Sequence, residues 1–431
     1  MTSVLKTKGD SSWFVRDRFG LFIHWGLYAL PARHEWVKNH EKIPDSVYDR
    51  YFKRFDPDLY DPEVWASAAA GAGMKYFVIT TKHHEGFCLW DSALTDYKAP
   101  NTPAGRDLLR PMVDAFRKRG MRVGFYHSLL DWHHPDFVID YLHPLRDDPA
   151  RDAMNASRNQ GRYTAYLHGQ VKELLTQFGR VDIMWFDFSY PAGPQGPGKG
   201  AADWRSADLV KMVRELQPHI LLDDRLDLVD DWDIKTPEQF QPRSWITVNG
   251  QPVVWEACQT FSGSWGYHRD EASWKSLDQL LHMLIDTVSK GGNLLLNVGP
   301  TGRGEFDARA MERLAGIGEW MKRHGRSIYG CTQAPAEFQA PQDCRLTYNP
   351  ATRRLYLHVF AWPFIELHLD GRAFVEQVEY AQLLNDASEI AFTRRADWQA
   401  RTDPIGADTL TLRLPVLKPN VTVPVIELFL K

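Results

Sequence analysis

The sequence of 431 residues predicts an α/β fold: a (β/α)8-like TIM barrel over residues 1–335, followed by a C-terminal antiparallel β-sandwich over residues 336–431. Two patterns predict it. In the first part of the chain, short and almost wholly apolar runs alternate with amphipathic stretches, as the strands and helices of a parallel barrel do. After residue 335, apolar and polar residues alternate one by one between turn residues, which is typical of antiparallel strands with one solvated face.

Seven apolar runs are the predicted strands of the barrel. Runs of this kind suit strands that are buried on both faces. A regular barrel of this class has eight strands, so either one strand is cryptic or the barrel is irregular. The runs are residues 19–25, 75–81, 122–128, 181–188, 219–224, 252–258 and 293–299.

Amphipathic segments between these runs predict helices on the outside of the barrel. Residues 108–120 have apolar side chains at i, i+3, i+4 and i+7 and end at a glycine. Residues 163–179 and 209–218 have a similar pattern, and residues 276–292 open with a serine N-cap candidate and close on two glycines. Residues 191–202 are rich in Gly and Pro and predict a long, mobile loop near the mouth of the barrel.

Composition excludes several classes of function. The 51 Lys and Arg against 55 Asp and Glu give a net charge of −4, which argues against a protein that binds nucleic acid or an anionic membrane. The sequence has no apolar run of membrane-spanning length and no secretory signal at its start, so we expect a cytoplasmic protein. Its four cysteines form no CxxC pair, which argues against a zinc site or a disulfide framework.

Residues with reactive side chains follow the predicted strands, where parallel barrels carry their active sites. These residues include carboxylates, imidazoles and indoles, but the sequence has no GxSxG elbow, phosphate-binding glycine loop or GxGxxG fingerprint. Serine acyl transfer, phosphoryl transfer and dinucleotide redox chemistry are therefore disfavoured. The candidates are His24, Trp25, Glu35, Trp36, His83, His84, Tyr126, His127, Ser128, Asp187, Asp223, Asp224, Arg225, Glu238, Trp255 and Glu256.

Asp187 stands out because it ends an otherwise apolar strand and follows two aromatic residues. A strand-end aspartate can simply cap the next helix. Paired with a second carboxyl group, however, it fits glycoside hydrolysis, which uses one carboxylate as the nucleophile and another as the acid/base. Glu238 and Glu256 are both candidates for that partner. Their spacing in the sequence cannot choose between them, because the two groups come from different strands or loops.

The histidines fit sugar binding better than metal binding. His83 and His84 are adjacent, so both can face a ligand only if the strand has already ended. The sequence has no HExxH motif, and no cysteine joins the histidines in a metal-ligand pattern. Neutral imidazoles that donate to and accept from sugar hydroxyls are the favoured role, and we expect no metal and no cofactor.

Seven ordered motifs between residue 18 and about 305 resemble the α-L-fucosidases of glycoside hydrolase family 29. The resemblance implies an exo-acting, retaining hydrolase that removes terminal α-L-fucosyl residues by double displacement, without a metal or cofactor. The family's second domain agrees with the predicted sandwich. The motifs are RFGLFIHWGLYALPARHEWV, TKHHEGFCLWDS, GFYHSLLDWHHPD, IMWFDF, DDR followed by KTPEQF, WEACQTFSGSWGY, and LIDTVSKGGNLLLNVGPTGRG.

The resemblance also assigns roles to individual residues. It implies that Asp187 is the nucleophile, which would form a covalent fucosyl intermediate. It favours Glu238 as the acid/base, with Glu256 and Glu35 as alternatives. Many relatives carry Tyr at the position of His127 and Gly at the position of Phe188. The implied substrate-binding residues are His24, Glu35, Trp36, His83, His84, His127, Trp185 and Arg225.

Three other functions stay open on the sequence alone. The first is an exo-glycosidase on the same fold that prefers α-L-galactosides, which differ from fucosides by a hydroxyl at C6. The second is a catalytically silent sugar-binding protein, and the third is a metal-dependent hydrolase. The expected partner is a fucosylated oligosaccharide or glycoconjugate, with no nucleic acid and no membrane, and a homo-oligomer is compatible with the sequence.

Overall fold

A curled, parallel sheet of seven strands forms the wall of the first domain in the computed structural model, which describes residues 3–394, 406 and 408–431. The strand order is β5-β4-β3-β2-β1-β9-β8. A short hairpin, β6 and β7, lies outside the sheet. The bounds are β1 Phe19–Ile23, β2 Tyr76–Lys82, β3 Arg122–Ser128, β4 Ile183–Asp187, β5 Leu221–Leu222, β6 Thr247–Val248, β7 Gln251–Pro252, β8 Glu256–Thr260 and β9 Asn293–Val298.

The gap between β5 and β8 is filled by an irregular segment, residues 234–238. Single parallel bridges join Ile234 to Asp223 on one side, and Lys235 to Trp255 and Glu238 to Cys258 on the other. A continuous ladder cannot form here, because Pro237 has no N–H to donate. The eighth strand is therefore present in position but too irregular to appear as an apolar run, and the predicted barrel class is confirmed.

Helices cover the outside of the sheet, as the amphipathic segments predict. Ser276 caps the tenth helix by accepting from the backbone N–H of Gln279. None of the helices in the described part of the chain is long and apolar enough to cross a membrane. The bounds are α1 Phe14–Asp17, α2 Val37–His40, α3 Asp45–Phe52, α4 Pro62–Gly71, α5 Leu109–Lys118, α6 Arg151–Asn155, α7 Gln160–Gln177, α8 Ala201–Trp204, α9 Ser206–Leu216, α10 Leu277–Ser289, α11 Ala308–His324 and α12 Arg372–Gln377.

The Gly/Pro-rich segment at 191–202 forms a narrow hairpin-like loop directly after β4. The backbones of Tyr190 and Lys199 are hydrogen-bonded to each other in both directions at its base. Lys199 is buried and forms an ion pair with the buried Asp140, whose carboxylate also accepts from the Tyr190 hydroxyl at 2.6 Å. The base of the loop is therefore anchored, and the mobility of its tip stays a prediction.

The C-terminal domain consists of a five-stranded and a three-stranded antiparallel sheet, in the orders β10-β11-β12-β17-β14 and β13-β16-β15. Aliphatic side chains fill the space between the sheets. The first strand, β10, precedes residue 336, so this sheet begins a few residues before the predicted boundary. The bounds are β10 Thr332–Gln333, β11 Cys344–Asn349, β12 Arg354–Val359, β13 Glu366–Asp370, β14 Val378–Leu383, β15 Phe392–Thr393, β16 Thr409–Arg413 and β17 Val425–Leu430.

The second domain packs against two helices of the barrel, α10 and α11. The indole N–H of Trp320 on α11 donates to the carbonyl of Val423 at 2.9 Å. Arg345 on β11 forms an ion pair with Asp286 on α10 at 2.8 Å. Both contacts hold the sandwich to the side of the barrel, so that the carboxyl ends of the strands stay open.

Candidate active site

A cavity of about 350 Å³ lies at the carboxyl ends of the barrel strands. Its wall combines four carboxyl or guanidinium side chains, three imidazoles and a group of aromatic rings. This is the end of the barrel where enzymes of this architecture carry their active sites. The lining residues are Phe22, His24, Glu35, Trp36, His83, His84, Tyr126, Trp185, Asp187, Phe188, Arg225, Glu238, Cys258 and Trp265.

Asp187, the last residue of β4, projects into this cavity and is held by two donors. Its Oδ1 accepts from Nη1 of Arg225 at 2.8 Å, and its Oδ2 accepts from the Tyr126 hydroxyl at 2.9 Å. Nε2 of His84 lies 3.9 Å from Oδ2. Burial raises the pKa of Asp187, while the charge of Arg225 and the hydrogen bond from Tyr126 oppose that rise. The carboxylate is thus desolvated but paired.

Glu238 lies on the irregular segment that closes the barrel, opposite Asp187. Its Oε2 forms an ion pair with the same Nη1 of Arg225 at 2.8 Å. One nitrogen therefore lies 2.8 Å from both carboxyl groups, and these two oxygens cannot be further apart than twice that distance. The Glu238 side chain is 40% exposed, against 12% for that of Asp187. Both carboxyl groups thus contact the same nitrogen of Arg225, but the Glu238 side chain is more exposed to solvent than that of Asp187.

Arg225 is the central cation of the site, and its guanidinium lies flat on an indole. The guanidinium carbon is 4.4 Å from the ring centroid of Trp185. Its other edge is held by Thr236, whose hydroxyl accepts from Nε at 3.1 Å and whose carbonyl accepts from Nη2 at 3.2 Å. Contacts on both edges and on one face leave this side chain little freedom to rotate.

Three buried histidines line the other side of the cavity. Nδ1 of His24 bonds Oδ1 of Asn297 at 2.6 Å, and Nδ1 of His84 bonds the Ser128 hydroxyl at 2.6 Å. Nδ1 of His83 has no hydrogen bond to a described residue and lies 3.8 Å from Oε2 of Glu85. Burial lowers the pKa of His24 to about 3 and lowers the pKa of His83 and His84 well below the usual value. All three are neutral imidazoles near pH 7, which can both donate and accept.

Glu35 and Trp36 close the cavity from the loop that follows β1. Oε2 of Glu35 accepts from the backbone N–H of Gly266 at 2.8 Å, whereas Oε1 has no hydrogen bond to a described residue and lies 3.3 Å from Nδ1 of His34. Burial raises the pKa of Glu35 to about 7, although the backbone hydrogen bonds oppose this. The ring of Trp36 lies edge-on to His84, with centroids 5.0 Å apart. Glu35 therefore has one carboxyl oxygen whose contact with His34 leaves it without a hydrogen bond.

Phe188 has a backbone conformation that is unusual for a residue with a side chain. Its φ is 75°, in the left-handed region where glycine is favoured. The glycine that the family resemblance implies here would adopt this φ more readily. The ring packs against Trp36 and His84, with centroids 5.1 Å away in both cases, and so forms part of the cavity wall beside Asp187.

The structure brings most of the predicted residues together, but it places His127 elsewhere. Side chains alternate across β3, so Tyr126 and Ser128 point into the barrel while His127 points out of it. Its Nδ1 lies 3.0 Å from the Thr81 hydroxyl, and its ring packs against Trp90. The structure does not support a substrate contact by His127, and Tyr126 occupies that place instead.

Glu256 is also separated from the mouth of the barrel. The predicted strand 252–258 starts only at Glu256, because residues 247–252 form the short hairpin. Glu256 thus begins β8 instead of ending it, and it lies fully buried with Oε2 accepting from the Tyr76 hydroxyl at 2.5 Å. It is not a lining residue of the cavity, whereas Glu238 and Glu35 both are, and of these two Glu238 shares Nη1 of Arg225 with Asp187.

Several lining residues have no role assigned from the sequence, Tyr126 and Trp265 among them. Tyr126 was a strand-end candidate, and alternation along β3 could have selected it over its neighbour. Trp265 follows β8 and stacks on His24, with centroids 5.1 Å apart. The only signal for it was an aromatic residue in a glycine-rich loop after a strand.

A second, open groove meets the cavity at Asp187 and Glu238. It has a volume of about 940 Å³ and lies on the side of the two carboxyl groups that faces solvent. Within the described residues, no three His, Cys, Asp or Glu side chains are arranged to hold a metal ion. The groove is lined by Asp187, Phe188, Ser189, Asp224, Arg225, Asp227 and Glu238.

The chain is similar to known proteins over most of its length. The family model for alpha-L-fucosidase matches residues 2–326. The tissue alpha-L-fucosidase of Bos taurus is 29% identical over 382 residues, which span 82% of this chain and 75% of that protein. The structure of alpha-L-fucosidase isoenzyme 1 from Paenibacillus thiaminolyticus has a TM-score of 0.90 and 44% identity and covers 98% of both chains. A GH29 alpha-L-fucosidase of Bacteroides thetaiotaomicron, a trapped covalent intermediate in complex with 2-fluoro-fucosyl fluoride, has a TM-score of 0.82 and 28% identity and covers 100% of this chain and 98% of its own.

Proposed function

The chain belongs to the alpha-L-fucosidase family of glycoside hydrolases, and from that premise we propose that it is an exo-acting, retaining enzyme that releases terminal fucose. The substrate is a fucosylated oligosaccharide or glycoconjugate. The observation that carries the proposal is the single nitrogen of Arg225 that lies 2.8 Å from both Asp187 and Glu238. It ties two carboxyl groups together in the wall of the cavity.

The separation of the two carboxyl groups supports retention of configuration. In retaining glycosidases they are ~5–5.5 Å apart, whereas inverting enzymes keep them ~6.5–9.5 Å apart to admit a water molecule between. Because Asp187 and Glu238 share one nitrogen at 2.8 Å, their nearest oxygens are at most twice that distance apart, which is short of the inverting range. The geometry thus favours attack by a carboxylate over attack by a water molecule.

In the first step, Asp187 attacks the anomeric carbon while Glu238 donates a proton to the glycosidic oxygen. The C–O bond to the leaving sugar breaks and an acylal bond to Asp187 forms. Arg225 and Tyr126 stabilise the ionised form of Asp187 before attack. Glu238 is more exposed than Asp187, so it can exchange its proton with solvent and reach the leaving group in the open groove.

In the second step, Glu238 removes a proton from water, which attacks the same carbon and releases fucose from Asp187. Esterification neutralises Asp187, so Arg225 then has Glu238 as its remaining anionic partner.

The cavity walls fit fucose because one side is polar and the other apolar. His24, His83 and His84 offer neutral nitrogens to hydroxyl groups. Phe22 and Trp265, with centroids 5.8 Å apart, form an apolar corner suited to the C6 methyl group. Such a corner rejects an added hydroxyl only by about 100-fold, so an α-L-galactoside is expected to be a poorer substrate but not an inert one.

A panel of 4-nitrophenyl glycosides, with proton NMR of the sugar first released, tests the proposal. We expect hydrolysis of the α-L-fucoside ahead of the α-L-galactoside, and α-L-fucose as the first anomer. β-L-fucose as the first anomer would overturn retention. Absence of hydrolysis of every α-L-fucoside would overturn the proposed activity and favour a silent sugar-binding protein. Loss of activity with a chelator would instead point to a metal-dependent hydrolase.

A further inference from the structure

We propose that Thr236 is a positioning residue whose hydroxyl, held by Asp224, fixes the guanidinium of Arg225 and through it the separation of the two catalytic carboxyl groups. The inference rests on the proposed roles of Asp187 and Glu238. It concerns a residue that does not line the sugar cavity and would act only through its neighbour.

Thr236 accepts a hydrogen bond from Arg225 and donates hydrogen bonds to Asp224. Its backbone N–H and its hydroxyl both donate to Oδ1 of Asp224, at 3.0 and 2.8 Å. A hydroxyl has one hydrogen, so once that hydrogen is given to Asp224 a lone pair is left for Nε of Arg225, 3.1 Å away. Oδ2 of Asp224 is in turn held by the ammonium of Lys235 at 3.0 Å. The carboxylate, hydroxyl and guanidinium thus form a chain that sets the orientation of each member.

These hydrogen-bonded side chains lie where the barrel wall has the fewest backbone bridges between strands. Arg225 follows β5, and Thr236 belongs to the irregular segment joined to its neighbours by single bridges only. Pro237 comes next and has no N–H to donate, so no ladder can align the segment. The side-chain contact between Arg225 and Thr236 replaces the missing ladder bond, and Glu238 is only two residues away.

Removal of the hydroxyl should loosen Arg225 without releasing it. The carbonyl of Thr236 would still accept from Nη2, and Trp185 would still support the face of the guanidinium. The guanidinium of Arg225 could then rotate over the indole of Trp185. Its Nη1 would no longer stay close to both Asp187 and Glu238. Asp187 would lose part of the charge that opposes the rise of its pKa, so it would ionise at a higher pH.

The test compares Thr236→Val, which keeps the branched shape, with Thr236→Ser, which keeps the hydroxyl. Both are assayed on 4-nitrophenyl α-L-fucoside, because its good leaving group makes the rate less dependent on proton donation by Glu238. The acidic limb of the plot of kcat/KM against pH then reports the ionisation of Asp187. For Thr236→Val we expect kcat/KM to fall about 10- to 100-fold, as misplaced reacting groups do. We also expect its acidic limb to move to higher pH by about half a unit or more. Thr236→Ser should stay within about threefold of the wild type, with an unmoved limb.

Thr347→Val is the matched control, because Thr347 is a buried threonine of the second domain that donates to the Ser327 carbonyl at 2.7 Å. It should lower the Tm without moving the pH profile. A wild-type profile and rate for Thr236→Val, or equal losses in Thr236→Val and Thr236→Ser, would overturn the inference.

Should Thr236→Val fail to fold, Thr236→Ala provides the second measurement. It also lacks the hydroxyl that accepts from Nε of Arg225, so a fall in kcat/KM with the limb shifted in the same direction is expected. An unshifted limb in this variant would overturn the inference. An inactive wild type would instead contradict the proposed function, which separates the two failures.

Discussion

Two buried carboxyl groups in one barrel, Asp187 and Glu256, have similar surroundings but different access. Each accepts a hydrogen bond from a tyrosine hydroxyl, at 2.9 Å from Tyr126 and 2.5 Å from Tyr76. Burial raises the pKa of both, to about 8 for Glu256. Asp187 lies at the carboxyl end of its strand, beside Arg225, and opens to the cavity. Glu256 begins its strand and is fully buried.

The difference shows that a perturbed pKa does not by itself identify a catalytic carboxyl group. By its pKa alone Glu256 would be a good general acid near neutral pH. It cannot reach a substrate, however, and lies away from the cation that would help it to ionise. Asp187 differs from Glu256 in having Arg225 as a counter-ion and in opening to the cavity. Both properties depend on which end of a strand a residue occupies.

The largest effect on activity is expected from Asp187→Gly, at the mouth of the barrel. Removal of the nucleophile should lower kcat on 4-nitrophenyl α-L-fucoside by at least about 10³-fold, since a covalent route is lost. Binding of L-fucose, measured by calorimetry, should remain detectable. Azide can enter the vacated space and attack directly, so it should restore turnover and yield β-L-fucosyl azide.

Near-normal activity of Asp187→Gly without any azide product would break the comparison, because Asp187 would then have no greater role than Glu256. The matched variant is Glu256→Gln, for which no azide product is expected.

The next largest effect distinguishes Glu238 from Glu256 as the acid/base. On a fucosylated oligosaccharide, Glu238→Ala should lower kcat by about 10²- to 10⁴-fold, the usual contribution of acid catalysis. On an aryl fucoside with a good leaving group the loss should be much smaller, because little protonation is needed. Steady-state kinetics on both substrates give the ratio. The same leaving-group dependence in Glu256→Ala, and not in Glu238→Ala, would transfer the role to Glu256.

The smallest effect is expected for Glu256 and concerns the free energy of unfolding. The pKa of Glu256 rises from about 4.5 when exposed to about 8 when folded, so the folded protein holds a proton that the unfolded chain releases. Its contribution to stability is therefore present below about pH 4.5 and is lost as the pH rises towards about 8. Glu256→Gln stays neutral. Its free energy of unfolding in urea should be lower than that of the wild type at pH 5, by about 1 kcal/mol, and the deficit should shrink or reverse by pH 8.

Glu319→Gln, on the exposed face of α11, is the control for that experiment and should show no such trend. A difference between Glu256→Gln and the wild type that is constant from pH 5 to pH 8 would contradict a protonated Glu256.

The sequence allowed good predictions wherever one local pattern carries the information. Apolar runs predicted the strands of the sheet, and 3.6-residue periodicity predicted α5, α7, α9 and α10. Asp187 could be recognised because it ends an apolar run and follows two aromatic residues. Burial and periodicity are properties of neighbouring residues, so a single sequence contains them.

Other features depend on contacts between distant segments, which no local pattern records. The eighth strand was missed because Thr236 and Pro237 interrupt it and give no apolar run. Glu256 was placed at the wrong end of β8, because an apolar run shows burial and not where a strand begins. The choice of Glu238 over Glu256 needed the distance to Arg225, which joins three separate segments.

Trapping the covalent intermediate tests the central claim most directly. The wild-type enzyme is incubated with 2-fluoro-fucosyl fluoride, whose fluorine at C2 slows both steps while the fluoride leaving group favours the first. We predict that the intact mass increases by one 2-deoxy-2-fluorofucosyl group and that peptide mapping places it on Asp187. A label on Glu238, Glu256 or any other residue, or no label in an enzyme that hydrolyses fucosides, would contradict Asp187 as the nucleophile.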